Sequence, residues 1–290
     1  LLAGWDYDAG LTLAESKGSL RYENYVHEAK FIQALATGNI NPFGASTDMA
    51  AWNSARMEGP MRRSTSTVTE FDAKASRELM PMAGGNMAVA VGVDLRREKA
   101  KDRPVNDDYA AGLHVGGEGT VPPTSASRTI SAVFSELSLP FAKGWEATLA
   151  ARYDHYSDFG STFNPRVALR FQPSKELLLR GSYGTGFRAP TLWDVHSPAA
   201  FTNTANPATD QNCPPDLLKE GDPRCAENQF NVLNTASPNL KPEKSKQFTL
   251  GIVTEPSRWL SVALDYWSIR KRDQISQVGG DAILSDDYLY

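Results

Sequence analysis

Apolar and polar residues alternate along much of this chain with a period of two. Three such runs follow one another between residues 145 and 183. Trp145, Ala147, Leu149, Ala151 and Tyr153 alternate with Glu146, Thr148, Ala150, Arg152 and Asp154. Val167, Leu169 and Phe171 alternate with Arg166, Ala168 and Arg170, and Leu177, Leu179, Gly181 and Tyr183 with Leu178, Arg180 and Ser182. A period of two means strands with two unlike faces. Here the polar face carries Arg, Glu and Asp in mid-strand, and the apolar face has aromatic residues near its ends. A soluble sandwich would also alternate, but charged mid-strand positions fit a transmembrane β-barrel, with lipid outside and a wet lumen inside.

Six more segments read as strands: residues 5–15, 64–79, 86–98, 128–139, 244–254 and 259–270. The third of the nine presents Val89, Val91 and Val93 on one face, with Asp94 and Arg96 on the other. With Leu149, Leu169, Leu179, Leu250 and Leu264, these residues are expected to face lipid. On this reading Val91→Arg is costly, while Gly92→Ser, on the wet face, is cheap. Short helices are expected at 28–36 and 48–57, inside a long excursion from 16 to 63. The connections then alternate. Tight turns fall near 81, 141, 173 and 256, and long polar loops span 99–127 and 187–243. An outer-membrane barrel sorts its loops in this way, with short periplasmic turns and longer extracellular loops. Trp5, Trp145 and Trp259 sit near the short turns, and Tyr153, Phe163 and Tyr266 near the opposite ends. Two aromatic belts at the headgroup levels are expected of such a barrel.

Composition is consistent with this. Hydrophobic residues make up 41% of the 290 positions, and the mean hydropathy is -0.40. A strand that exposes every second residue to lipid has a weak hydropathy signal. No run approaches the roughly 18 apolar residues of a membrane helix. A net charge of -4 gives no reason to expect nucleic acid as a partner. The chain enters a strand almost at once, with no initiator Met, basic segment or signal-peptide core. Such a start is expected of a chain that has lost a leader or is a piece of a longer one, and the second is preferred below.

Candidate chemistry is sparse. The two cysteines, Cys213 and Cys225, lie close together in a polar loop rich in Pro, Asn and Asp. A local disulfide made in an oxidising compartment is the expected reading. The alternative is two free thiols or half of a metal site, and no His lies near enough in sequence to complete a zinc pattern. The four histidines are scattered, so no metal site and no cofactor are expected. There is no GxSxG and no Walker sequence, and no catalytic residues are assigned. Asp154, His155 and Ser157 do not make a triad, because adjacent strand residues point to opposite faces. Arg152, Asp154, Arg166, Arg170, Arg180 and Asp265 are expected to face the lumen. They either pair across strands or against whatever fills the lumen, or form a path for an anionic ligand. Arg188, Trp193 and His196, after the seventh strand, could grip a ligand at the mouth through a cation and an aromatic ring, or serve rim packing.

The wording of several segments resembles the barrel of TonB-dependent outer-membrane receptors. These are LAARYDHYSDFGSTFNPRVALRFQPSKELLLRGSYGTGFRAPTLWD, then PNLKPEKSKQFTLGIV followed by LSVALDYWSIRKRDQI, and AVAVGVDLRREK at 88–99. The rim motif GTGFRAP stands at 184–190 and the loop-to-strand motif NLKPE at 239–243. The resemblance implies an all-β, antiparallel up-and-down barrel of about 22 strands in the bacterial outer membrane, closed by a plug. It implies import of a scarce, bulky nutrient, a siderophore, cobalamin or an oligosaccharide, by binding and release. The energy would come from the TonB complex, through the plug. The expected partners are thus TonB, the lipid bilayer and a small or oligomeric nutrient. No segment resembles the plug, and the last residues, SDDYLY, do not resemble the closing strand of the family. With about nine strands and two unpaired edges, residues 1–290 are expected to be an incomplete barrel. The alternatives are a barrel-borne protease or lipase, which would need a convergent catalytic cluster, and a passive porin.

Overall fold

The computed structural model of the protein describes residues 4–41, 43–44, 49–116, 119–203, 207, 214, 216, 226–227, 229–279 and 283. Its main strands are β1 (Asp6–Val26), β2 (Arg56–Met82), β3 (Gly85–Pro104), β4 (Thr124–Ala142), β5 (Trp145–Tyr156), β6 (Gly160–Ser174) and β7 (Leu177–Arg188). A small hairpin follows, β8 (Ala200–Asn203) with β9 (Asn231–Asn234), and then β10 (Glu243–Ser257) and β11 (Leu260–Arg272). The nine longer strands form one antiparallel sheet in the order β1-β2-β3-β4-β5-β6-β7-β10-β11, so each pairs with its successor in the sheet. This is an up-and-down meander, with β1 and β11 at the edges.

The register carries one parity across the whole sheet. Val89 lies opposite Leu137, Leu137 opposite Leu149, and Leu149 opposite Val167. Leu169 lies opposite Gly181, Gly181 opposite Leu250, and Leu250 opposite Tyr266. Directly opposed residues project to the same side, and the side alternates along each strand. Val89, Val91, Val93, Leu149, Leu169, Leu179, Leu250 and Leu264 therefore share one face. They are not covered by protein: Leu250 is 56% and Leu264 71% exposed. Arg152, Asp154, Arg166, Arg170, Arg180 and Asp265 share the other face. Such a sheet is turned inside out relative to a soluble one, since no layer of the described residues packs on its apolar side.

Short turns close one end of the sheet, at 83–84, 143–144, 175–176 and 258–259. Three of the links along this end are backbone hydrogen bonds between successive hairpins. Gly84 N donates to Pro140 O (3.0 Å), Gln172 N to Gly144 O (2.7 Å) and Glu255 N to Glu176 O (2.8 Å). Gly84 is required there, because a Cβ would lie 2.3 Å from Ala142 O. The long connections, and the brief one at 157–159, leave from the other end. There α1 (Glu28–Ala36) and α2 (Met49–Ala55) occupy the first excursion, close to the expected 28–36 and 48–57. Met57, Met61 and Tyr109 pack together at this end with Tyr22 and Val121, and α3 (Asp107–Ala110) holds Tyr109 in place.

Two expectations are corrected here. The strands on the long-loop side run much further than the hydrophobic alternation does. β1 continues past 15 to Val26, and β3 past 98 to Pro104, because backbone pairing continues after the exposed face stops being apolar. Gly92 is not a lenient site either. A Cβ there would meet the Phe134 ring at 2.2 Å and Ala73 O at 2.9 Å, so Gly92→Ser must displace the ring. Cys213 and Cys225, with their expected disulfide, lie outside the described residues.

Candidate functional site

The charged face is a wall of ion pairs, several of which reach over an intervening strand. Arg180 of β7 makes a two-pronged contact with Asp265 of β11 (2.9 and 2.8 Å from Nη2) across β10. The strand between them presents Gly251, where a Cβ would come within 2.1 Å of Asp265 Oδ1. Arg152 of β5 reaches over β4 in the same way. It donates to Asp94 (3.1 Å) and to Asp154 on its own strand (2.9 Å), and lies 6.0 Å from the Phe134 ring centroid. Ala132, small and buried, separates the two carboxylates in the register. One guanidinium thus serves two carboxylates, and the buried Asp94 Oδ1 and Asp154 Oδ2 have no hydrogen-bond partner among the described residues. Arg166 makes no ion pair there; its stem lies over Gly184 on β7, where a Cβ would stand 3.2 Å away.

Higher up, Arg128 ties four elements together. It donates to Glu98 of β3 (2.7 Å) and to the backbone oxygen of Pro190 (2.7 Å), and pairs with Asp158 in the 157–159 turn (3.4 Å). Its guanidinium also lies 5.2 Å from the Tyr156 ring centroid. Pro190 ends the GTGFRAP stretch and is fully buried, so Arg128 pins the rim motif to the wall. This residue was missed in the sequence. The available signal was the strand's one Arg, on the polar parity, near the start of a strand whose only other charged residue is Glu136.

The rim itself is built on α4 (Leu192–His196). Thr191 and Asp194 cap it reciprocally: Asp194 N donates to Thr191 Oγ1 (3.1 Å) and Thr191 N to Asp194 Oδ2 (2.8 Å). Leu192 and Val195 are buried, which leaves Trp193 and His196 exposed. The Arg62 guanidinium, paired with Asp102, lies 5.3 Å from the Trp193 ring centroid. Arg188 donates to Glu243 (2.7 Å), and the same carboxylate oxygen accepts from Ile275 N (2.9 Å). Glu243 is the last residue of the NLKPE stretch, so one contact joins both motifs. The Arg188 hydrogen bond, helped by that of Ile275, holds the Glu243 carboxyl below its ordinary range.

A cleft of about 540 Å³ opens beside α4, lined by Arg188, Trp193, Asp194, Asn234 and Gln277. Of the five residues singled out for ligand contact, Arg188 and Trp193 come together here. His196 is exposed but does not line the cleft, and Arg152 and Arg166 belong to the wall below. His155 sits on the apolar face against Ser161 (3.0 Å), while Asp154 is on the other face and the Ser157 hydroxyl accepts from Thr129 N. No nucleophile and base converge at this place. Among the described residues no three His, Cys, Asp or Glu side chains are placed to hold a metal.

No curated protein matches the chain. Among solved structures it is similar to the siderophore receptor PirA of Pseudomonas aeruginosa, with 18% identity, TM-score 0.46, 72% of this chain and 35% of that one. It is similar to a mutant of the ferric enterobactin receptor PfeA of the same organism, with 14% identity, TM-score 0.47, 92% of this chain and 40% of that one. The RagAB peptide importer gives 17% identity, TM-score 0.49, 92% of this chain and 28% of that one. The chain thus spans less than half the length of these structures. The model of the family described as TonB dependent receptor-like, beta-barrel matches residues 1–290. The chain belongs to this family of TonB-dependent receptor β-barrels, which are transport receptors of the bacterial outer membrane and not enzymes.

Proposed function

We propose that this chain is one part of the wall of an outer-membrane importer that binds a bulky, scarce nutrient at its rim and releases it inward with energy from TonB. The observation that carries this reading is the division of the sheet into an uncovered apolar face and a face of crossing ion pairs. A wall of this kind has lipid on one side and a filled, polar interior on the other. Val89, Val91, Val93, Leu149, Leu169, Leu179, Leu250 and Leu264 then meet lipid. The unpartnered oxygens of Asp94 and Asp154 are acceptors that water or a protein filler of that interior can satisfy. That filler is the plug of the family, carried outside the strands described above. Arg188 and Trp193, which line the rim cleft, are the first contacts for the nutrient. Energy input is required because a receptor that only binds has no reason to open inward until a partner favours the open state.

Siderophores and peptides, the cargoes named for the similar structures, are the first ligands to test. Uptake of each is measured in cells producing the full-length receptor, with and without TonB. Uptake that needs TonB and falls when Trp193 is changed to Ala supports the reading. Uptake independent of TonB would point to a passive porin.

A further inference from the structure

The apolar face changes character abruptly on the side of the long loops. On β3 its exposed positions run Val91, Val93, Leu95 and then Arg97, Lys99, Lys101 and Arg103. On β10 the residues above Phe248 are Lys246 and Lys244, and on β11 those above Ser268 are Arg270 and Arg272. The register sets several of these cations face to face. Lys246 lies directly opposite Arg270, Lys244 opposite Arg272, and Arg63 opposite Arg103. Opposed side chains start about 5 Å apart at Cβ, and like charges so placed repel. The contrast with the other face is sharp. There Arg152, Arg180 and Arg188 each meet a carboxylate, whereas among the described residues none of these six opposed cations does. Three facing pairs of like charge, all on one side and all at one end, make a surface that an anion would stabilise.

At β10 and β11 the surface also has a shape for that anion. The β6–β7 ladder ends at Arg166 and Gly184, although the strands run on to Gly160 and Arg188. The opened seam forms a cleft of about 550 Å³, lined by Lys244, Lys246, Arg270 and Arg272, with Phe163, Phe187 and a single carboxylate, Asp273. Below it on the same face lies a groove of about 370 Å³ among Trp145, Leu169, Tyr183, Phe248 and Leu250. Its floor is Gly181, which has no side chain between Leu169 and Leu250. Cleft and groove follow each other along β7. From Gly181 to Phe187 the strand climbs about 20 Å at its usual rise per residue. The lower part is apolar and the upper part cationic, so the slot is amphipathic along its length.

We propose that this slot binds a phosphorylated lipid of the outer leaflet, with its phosphate among Lys244, Lys246, Arg270 and Arg272 and an acyl chain over Gly181. Ladder spacing and strand rise set the four cations on a rectangle of about 5 by 7 Å, close enough for their heads to converge on one phosphate. The anion removes the repulsion within each facing pair, and charge-assisted hydrogen bonds replace it. The apolar groove distinguishes a lipid from free phosphate, which would gain nothing from Gly181. The proposal rests on the reading that this face meets lipid.

The test uses the full-length receptor in a zwitterionic detergent, with diphosphorylated lipid A as the probe and inorganic phosphate and phosphatidylcholine as controls. Native mass spectrometry and thermal unfolding are the readouts. Lipid A is expected to bind and to raise the unfolding temperature. Lys246→Gln/Arg270→Gln should weaken binding about tenfold or more, as lost charge-assisted hydrogen bonds would. In lipid-free detergent the same variant should unfold no earlier than the parent, because it loses a repulsive pair. Gly181→Leu, which fills the groove, should also lose lipid A. Equal binding of lipid A by the parent and both variants overturns the proposal, as does equal stabilisation by inorganic phosphate. A spin label at Val91→Cys tests the underlying reading separately. If that label contacts lipid while lipid A binding is unselective, only the slot is refuted; if it does not, the lipid-facing assignment falls first.

Discussion

Arg180 and Asp265 stand on strands that do not touch, and the residue that lets them meet is Gly251. At the residue scale the charged face depends on such small positions. Ala132 separates Asp94 and Asp154 under Arg152, and Gly92 accommodates the Phe134 ring. The two glycines should nevertheless respond differently to substitution. At Gly251 the obstructing atoms are the ends of an exposed ion pair, so Gly251→Ala should lower stability by no more than about 1 kcal/mol. At Gly92 the obstruction is an aromatic ring and a backbone oxygen, so Gly92→Ala should cost about 1–3 kcal/mol, as overpacking does. Phe134→Leu in the same chain should recover part of it. Chemical unfolding of the full-length receptor in detergent gives all three values, and equal penalties at the two glycines would contradict the contacts described. On the apolar face, Val91→Arg should cost about 2–4 kcal/mol if the residue lies near the bilayer midplane. The matched control is Ala90→Ser, since Gly92 is sterically committed; a comparable loss at Ala90 would mean that Val91 is not against lipid.

At the scale of elements, the alternation of apolar and polar residues located the nine strands of the main sheet and sorted the residues it named into the same two sets that the register places on opposite faces. It did so because the register keeps one parity from Val89 to Tyr266. It misjudged strand ends, because a strand that has left the apolar layer still pairs its backbone but no longer needs Val or Leu at its exposed positions. Lys99, Lys101 and Arg103 of β3 look like loop for that reason. The rim was legible as motifs but not as contacts: nothing in GTGFRAP or NLKPE says that Arg188 meets Glu243, or that Arg128 holds Pro190. Both contacts lend themselves to measurement. Arg128→Met should leave the lower strands intact and speed amide exchange in 189–197, and unchanged exchange there would deny Arg128 its anchoring role. Glu243 has a lowered folded-state pKa, so its contribution is fully present above the ordinary value of 4.5 and is lost as pH falls through the lower folded value. Protection of the Ile275 amide should therefore be constant near neutrality and decline only in acid below 4.5. Glu243→Gln should show reduced protection at neutral pH with no further acid step; a parent whose protection fails well above that range would exclude Glu243 as the cause.

For the molecule as a whole the decisive quantity is closure. β1 and β11 are each paired on one side only within the nine-stranded sheet, and the hydrocarbon of a bilayer offers nothing to satisfy their remaining amides. A lumen wide enough to hold a plug needs about 22 strands, far more than nine. The register is continuous, the short turns are hydrogen-bonded to one another, and the charged wall is pinned across strands, so this part of the sheet is well specified; what it lacks is a partner for each edge. We therefore expect residues 1–290 alone to form no stable pore, whereas a receptor in which both edges are paired forms a closed and plugged barrel. Planar-bilayer recordings on the two proteins, refolded side by side, separate these outcomes. The isolated chain should give either no current or erratic leak, and the complete receptor should remain silent until its plug is displaced. Discrete, long-lived conductance steps from residues 1–290 would mean that the two edges find each other and that nine strands close by themselves. In that case the face of crossing ion pairs would line a small channel of its own, and Arg152 and Arg180 would govern which ions pass.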